Sequence, residues 1–185
     1  GRKSGDALPV FIVEGGYSVE KELIFIRHGI AEDFSKEGDD FHRRLTEKGQ
    51  RRLQKNFPVL RRLQEPKRRY RILSSPLLRA KETSEILQDA LGLEEEILFD
   101  LLVAEGHLHK LFHRALALEE ESLYVVGHEP ILSDWVYNLT GDFRPFKKGE
   151  AVSVILTFDE EGEVVTAKRR YALTPEDMKK RREET

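Results

Sequence analysis

Short apolar, β-rich runs alternate along this chain with segments whose apolar residues recur at helical spacing, and that alternation constrains the fold more than any other feature. The runs Leu23-Ile24-Phe25-Ile26, Tyr70 to Leu73, Leu123-Tyr124-Val125-Val126 and Val152 to Phe158 are short and nearly continuous in apolar character. Strands buried on both faces of a sheet read this way. A fifth strand, Val164 to Tyr171, follows the turn-like Glu160-Glu161-Gly162-Glu163 and is expected to pair antiparallel with the fourth at one edge. Between the runs, helical spacing appears at Leu53, Phe57, Leu60 and Leu63, at Ala80, Thr83, Leu87 and Ala90, at Leu108, Leu111 and Ala115, and at Ile131, Trp135 and Leu139. The class is α/β, with helices covering a sheet. Thr46 is a plausible N-cap, and Pro58 is expected to break or kink the helix that follows it. Thr174 to Thr185 reads as a capped, charged surface helix, and Trp135 as core.

At 185 residues the chain is expected to form one main domain. The first 20 residues, with Gly15-Gly16 and the run Val10 to Val13, are assigned no function and read as an arm or an engineered remnant. The domain proper is placed at residues 21–185. No apolar run approaches the roughly 18 residues that a membrane-spanning helix needs. With no signal-peptide pattern either, a soluble, cytoplasmic protein is expected. The 31 basic and 34 acidic side chains nearly cancel, to a formal charge of -3, so overall charge names no partner. Lys67, Arg68, Arg69 and Arg71 lack aromatic platforms beside them and read as a solvated loop rather than a nucleic-acid surface.

The absence of cysteine excludes a disulfide scaffold, a thiolate metal site and a cysteine nucleophile. Any chemistry must use other side chains, and the arginines and histidines fall in a telling pattern. Arg27 and His28 directly follow the first strand. Arg79 follows the Ser75-Pro76 turn after the second, and His128, ahead of Glu129-Pro130, follows the third. In parallel sheets the carboxyl ends of strands form the ligand crevice, so two cations and two imidazoles are expected to converge. Helix N-termini near Pro76 and Pro130 would add N–H dipoles, and phosphate is the anion that fits. There is no phosphate-binding loop of the GxxxxGK[ST] type, no HExxH pair and no carboxylate cluster for Mg²⁺. His107, His109 and His113 have no evident carboxylate or cysteine partner, so no metal site is expected.

A neutral imidazole can attack phosphorus in line and form a phosphohistidine that water later cleaves, while arginine forks neutralise the equatorial oxygens. Flanking arginines disfavour the imidazolium, which keeps such a nucleophile neutral at pH 7. His28, beside Arg27 on a buried strand end, is the chosen nucleophile. His128 is placed across the phosphate, donating a hydrogen bond that strengthens as charge develops.

Four ordered motifs carry a family resemblance. Leu23-Ile24-Phe25-Ile26-Arg27-His28-Gly29 resembles the RHG signature of the histidine phosphatase (phosphoglycerate-mutase-like) superfamily. Arg43-Arg44-Leu45-Thr46-Glu47-Lys48-Gly49 is similar to the R-x-L-T-x-x-G segment of SixA-type phosphohistidine phosphatases. Ser74-Ser75-Pro76-Leu77-Leu78-Arg79-Ala80-Lys81-Glu82-Thr83 resembles their S-P-x-x-R-A-x-x-T turn, and Val126-Gly127-His128-Glu129-Pro130 their second-histidine motif. The resemblance spans about residues 22–171. It implies a three-layer α/β/α sandwich with a mostly parallel central sheet, and a histidine phosphatase domain over residues 21–185. It further implies His28 as phosphoacceptor, Arg27, Arg79 and His128 as the phosphate pocket, Arg43 as a phosphate or substrate contact, and no metal or organic cofactor.

The motifs lie close together, 51 residues from His28 to Arg79 and 49 from Arg79 to His128. This leaves little room for lids, and an open site suits a phosphohistidine on a protein surface. A phosphoprotein, including the phosphotransfer domains of bacterial signalling, is therefore the favoured substrate and partner. Two alternatives stay open. Glu105 lies where ester-cleaving members of the superfamily place an acidic proton donor, which would make the protein a phosphomonoesterase. The same pocket without turnover would make it a phosphate- or phosphoprotein-binding module.

Overall fold

The computed structural model describes residues 10–13 and 16–184. Among them, seven strands form one sheet: β1 (Val10–Val13), β2 (Gly16–Arg27), β3 (Tyr70–Ser74), β4 (Leu98–Phe99), β5 (Ser122–Gly127), β6 (Ala151–Phe158) and β7 (Val164–Leu173). The order is β4-β3-β5-β2-β6-β7, with β1 pairing against the start of β2. β4, β3, β5 and β2 are mutually parallel. β1 and β6 run antiparallel to β2, and β7 antiparallel to β6, so three of the pairings are antiparallel.

β2 is the central element. Glu22 to Arg27 register with Ser122 to Gly127 on one side, and Val19 to Ile26 with Phe158 to Ala151 on the other. Its apolar run is continuous because both faces are covered, and alternate residues serve different layers. Leu23 and Phe25 pack with Leu123 and Val125 against α4 (Leu101–Glu105), α5 (Leu108–Ala117) and α6 (Ile131–Thr140). Ile24 and Ile26 pack with Tyr124 and Val126 against α1 (Glu47–Asn56), α2 (Pro58–Arg62), α3 (Leu78–Leu91) and α7 (Pro175–Glu183). The result is the three-layer sandwich. Trp135 is in the core, tilted against Phe25 at 6.1 Å between ring centroids.

Thr46 caps α1, its hydroxyl accepting from the Gly49 N–H at 2.9 Å, and Pro58 divides the expected helix into α1 and α2. Some expectations needed adjustment. The domain boundary expected at residue 20 falls inside β2, because residues 16–20 are ladder residues of that strand; residues 1–9 and 14–15 lie outside the described residues. α7 is capped as expected, with Thr174 and Asp177 forming a capping box, but it is more than a surface helix. Its one methionine, Met178, is fully buried in the α1-side core. The arginines of this stretch are ion-paired rather than solvated, Arg68 with Glu20 and Arg69 with Glu119 and Glu121 just before β3, and Arg71 with Glu120 from within it. No helix among the described residues is long and apolar enough to cross a membrane.

Candidate active site

The sheet register delivers three strand ends to one level. Val126 of β5 lies between Ile26 of β2 and Ser74 of β3. Each chain then leaves the sheet with one more backbone bond, His28 N–H to Gly127 at 3.1 Å and Ser75 N–H to Val126 at 2.9 Å. His28, Ser75 and His128 are therefore the first residues beyond three neighbouring strands, and Arg79 stands in the first turn of α3. Arg27, His28, Arg79 and His128 line a single cavity of about 250 Å³ together with Arg43. All five residues named from sequence for the phosphate pocket are thus brought together.

His28 is 6% exposed. Its Nδ1 lies 2.7 Å from the Gly29 carbonyl oxygen. A carbonyl only accepts, so the ring proton sits on Nδ1 and Nε2 presents its lone pair. Burial pushes the His28 pKa down to about 3; the Gly29 bond opposes the shift, and His128 and the guanidinium charges of Arg79 and Arg27 add to it. Burial and the neighbouring arginines therefore keep the imidazole neutral at pH 7, with the Nε2 lone pair free to meet an electrophile.

His128 is 7% exposed, its ring 5.2 Å from that of His28. Its Nε2 shares a 2.7 Å hydrogen bond with the Ser75 hydroxyl. That hydroxyl also accepts from the Leu77 N–H; when its own hydrogen points to Nε2, the His128 proton lies on Nδ1. Burial first, then Arg79, pulls the His128 pKa down to about 4. Arg27 donates through Nη1 to the Phe146 carbonyl at 2.7 Å. Arg79 donates to the Asp40 carbonyl at 2.8 Å and to its carboxylate at 3.1 Å. Three buried nitrogens of cavity-lining side chains have no hydrogen-bond partner: Arg27 Nε, Arg79 Nε and His128 Nδ1. Unsatisfied buried donors are costly, and three around one cavity suit an anion with several acceptor oxygens.

Sequence reasoning did not find Lys148, Asp33 and Glu129 on the same cavity. The Glu129 carboxylate is occupied, accepting from the Ser133 N–H at the start of α6 and from the Phe146 N–H. Asp40 was missed as well; its carboxylate joins Arg79 to Arg43, whose Nε lies 2.8 Å from it. Lys148, Asp33 and Asp40 sit in loops without periodicity, so only their charge could have drawn attention. Glu105 is not among the cavity-lining residues, and its half-exposed carboxylate pairs with His107 Nε2 at 3.0 Å. No group of three or more histidine or acidic side chains able to hold a metal ion occurs among the described residues. A larger cavity of about 370 Å³ between α1 and α3 is lined by Glu82, Glu85 and Asp89 with Gln50 and Gln54, which would repel phosphate.

The remaining motif residues hold the turn after His28 in place. The Gly29 N–H donates to the Thr83 hydroxyl at 3.1 Å, and that hydroxyl donates to the Arg79 carbonyl, tying the turn to α3. A Cβ on Gly29 would lie 2.7 Å from Leu53 Cδ1. The Ile30 carbonyl accepts from Thr46 N–H at 2.9 Å, and α1 approaches it so closely that a Cβ on Gly49 would stand 2.4 Å from the Ile30 oxygen.

Comparison with known proteins accords with this geometry. Residues 23–108 match the pattern of the histidine phosphatase superfamily (branch 1). An uncharacterized protein of Picosynechococcus sp. is 37% identical over 142 residues, covering 72% of this chain and 84% of that protein. The protein histidine phosphatase SixA, solved as a tungstate complex, superposes with a TM-score of 0.64 at 25% identity, over 85% of this chain and 99% of its own. A mycobacterial glucosyl-3-phosphoglycerate phosphatase shares the fold, with a TM-score of 0.63 at 15% identity, over 82% of this chain and 97% of its own. The chain belongs to the histidine phosphatase superfamily, with a SixA-type architecture, and the activity this membership supports is that of a phosphatase.

Proposed function

We propose that the protein is a metal-independent phosphatase that removes phosphate from protein phosphohistidine through a phosphohistidine intermediate on His28. The observation that carries this reading is the neutral His28, its proton held on Nδ1 by Gly29, beside a cavity with three unpartnered buried nitrogens.

In the first step Nε2 of His28 attacks phosphorus in line; the new P–N bond forms as the bond to the substrate's ring nitrogen breaks. Arg27 and Arg79 hold the equatorial oxygens, and the Nδ1–H of His128 donates to one of them, a bond that strengthens as charge spreads. The departing imidazole leaves neutral when its other ring nitrogen carries a proton, so it makes little demand on an acid. In the second step water attacks the phosphorus, inorganic phosphate leaves, and His28 returns to its neutral form. Arg43 and Lys148 extend the cationic wall toward the substrate.

An alkoxide leaving group would need a proton donor. Glu105, paired with His107, does not line the cavity, and this favours the nitrogen-linked substrate. The close spacing of the motifs, which leaves little room for a lid, suits a phosphohistidine displayed on a folded protein, as in cytoplasmic phosphotransfer signalling. The test is phosphate release from a phosphohistidine-bearing protein and from p-nitrophenyl phosphate, with EDTA, in wild type, His28→Ala and Glu105→Gln. Phosphohistidine turnover that survives EDTA and Glu105→Gln but is abolished by His28→Ala is expected. Faster ester hydrolysis dependent on Glu105 would reassign the protein to phosphomonoesters, and phosphate binding without turnover of either substrate would make it a binding module.

A further inference from the structure

Asp40 makes three side-chain-directed bonds to two of the cavity's arginines, although it lies in a loop and its own side chain is about two-thirds exposed. Its carbonyl accepts from Arg79 Nη1 at 2.8 Å, one carboxylate oxygen accepts from Arg79 Nη2 at 3.1 Å, and the other accepts from Arg43 Nε at 2.8 Å. A guanidinium is a planar fork of five N–H donors, so two bonds from one residue fix the plane of Arg79. Its Nε, buried and unpartnered, is left on the remaining edge. Arg43 is fixed in the same way by Asp40 and by the Glu32 carbonyl at 2.8 Å from Nη1.

The loop that presents Asp40 is itself anchored. The Leu78 N–H at the start of α3 donates to the Phe41 carbonyl at 3.0 Å, and His42 donates its backbone N–H to the Asp39 carboxylate at 2.9 Å. Partial burial opposes ionisation of Asp40, yet the bonds and charges of Arg43 and Arg79 outweigh it and hold the carboxyl below its ordinary range. The carboxylate is thus a fixed negative charge between two like-charged side chains that would otherwise repel each other.

We propose that Asp40 is a positioning residue that locks Arg79 and Arg43 into one clamp for the transferring phosphoryl group, and that its charge weakens the hold on ground-state phosphate. The inference rests on the phosphatase reading of the cavity, and it predicts that turnover and phosphate affinity respond in opposite directions. Asp40→Ala leaves Arg79 with one of its two bonds, to the backbone carbonyl of residue 40, and Arg43 with one, to Glu32, so that neither guanidinium plane is fixed and kcat falls about tenfold or more, the scale of effect that misplaced reacting groups produce. Removing the charge from beside the cavity strengthens binding of inorganic phosphate by roughly threefold to tenfold, the scale of one partly screened charge several ångströms away. Asp40→Asn keeps one acceptor oxygen and cannot serve both arginines, so its kcat falls between wild type and Asp40→Ala while its phosphate affinity rises as in Asp40→Ala.

The experiment measures kcat and KM on the phosphohistidine-bearing protein, and the Kd of inorganic phosphate by calorimetry, for wild type and both variants. Circular dichroism checks the fold of each. The graded loss of kcat with tighter phosphate binding in both variants is expected. Weaker phosphate binding in both would make Asp40 a plain support for the binding site, and unchanged kcat would make it an ordinary surface ion pair; either overturns the proposal. A wild type that binds phosphate but turns over no substrate would instead overturn the phosphatase reading, while the calorimetric comparison would still report the effect of Asp40's charge.

Discussion

Gly49→Ala sets two opposite effects against each other. Gly49 is the third residue of α1, and glycine in a helix is about 0.5–1 kcal/mol less favourable than alanine, so propensity alone predicts a more stable protein. The packing predicts the reverse. The new Cβ would stand 2.4 Å from the Ile30 carbonyl oxygen and 3.1 Å from the Ile30 Cβ, where ordinary van der Waals contact begins near 3.4 Å. That oxygen is backbone, and it already accepts the Thr46 N–H, so the clash cannot be relieved by a side-chain rotation. α1 must retreat from the turn, or the turn must move, by roughly an ångström. Overpacking of this kind costs about 1–3 kcal/mol. The net expectation is a loss of about 1–2 kcal/mol, or roughly 2–8 °C in Tm for a domain of this size. Ile30 is two residues from His28, so the displacement also reaches the proposed nucleophile, and a misplacement of that order can reduce kcat about a hundredfold. Urea titration and steady-state kinetics on the same preparation measure both. A Gly49→Ala protein as stable and as active as wild type would refute the reasoning.

Two further predictions concern protonation and the far end of the sheet. His28 and His128 have folded pKa values near 3 and 4, below the unfolded value of 6.5, so between these limits the unfolded chain binds more protons and stability falls as pH falls. For the pair the decline is roughly 2–3 kcal/mol per pH unit near pH 5. Urea midpoints at pH 7 and pH 5 should show it in wild type and largely lose it in the His28→Asn, His128→Asn double variant; equal slopes in the two proteins would contradict it. Arg170→Met should cost about 3 kcal/mol of stability, because it leaves Glu22, fully buried and 2.9 Å from Arg170 Nη1, without its cation. Turnover should be unaffected, since six strand residues put Glu22 roughly 20 Å from His28; a fall in kcat/KM together with normal stability would count against this separation.

The parts of the fold legible in the sequence are those buried on both faces. Leu23 to Ile26, Ile72-Leu73 and Leu123 to Val126 are apolar throughout because each side chain meets a helix layer, whichever face it takes. The first half of β2 was illegible for the converse reason: Tyr17 is exposed and Ser18 buried, with no apolar pattern to mark a strand. β4 and α4, of two and five residues, are too short to establish a period. Asp100, whose carboxylate accepts the Leu102 N–H, and Gly106, in the left-handed conformation, were the available signals for α4. Met178, an isolated apolar side chain among the charges of its helix, gave no face to read, yet with Pro175 it is what α7 buries.

The site divides in the same way. Arg27, His28 and His128 were legible because strand ends locate them, and Arg79 because the first turn of the next helix does. Ser75 was visible only as a motif letter; its bond to His128 exists because β3 and β5 are neighbours, which chain order does not reveal. Asp40 belongs to a loop whose path is set by its bonds to α3, and no local pattern encodes those bonds.

The central claim is that phosphate passes through a covalent bond to Nε2 of His28. Wild-type protein mixed with a ³²P-labelled phosphohistidine-bearing substrate, quenched in alkali within one turnover and digested, tests it most directly. Phosphohistidine survives base and is lost in acid, so the account predicts base-stable, acid-labile label on the peptide containing His28, and none on that peptide in His28→Ala. Single-turnover phosphate release with no label on His28, or with His28→Ala as active as wild type, would contradict it.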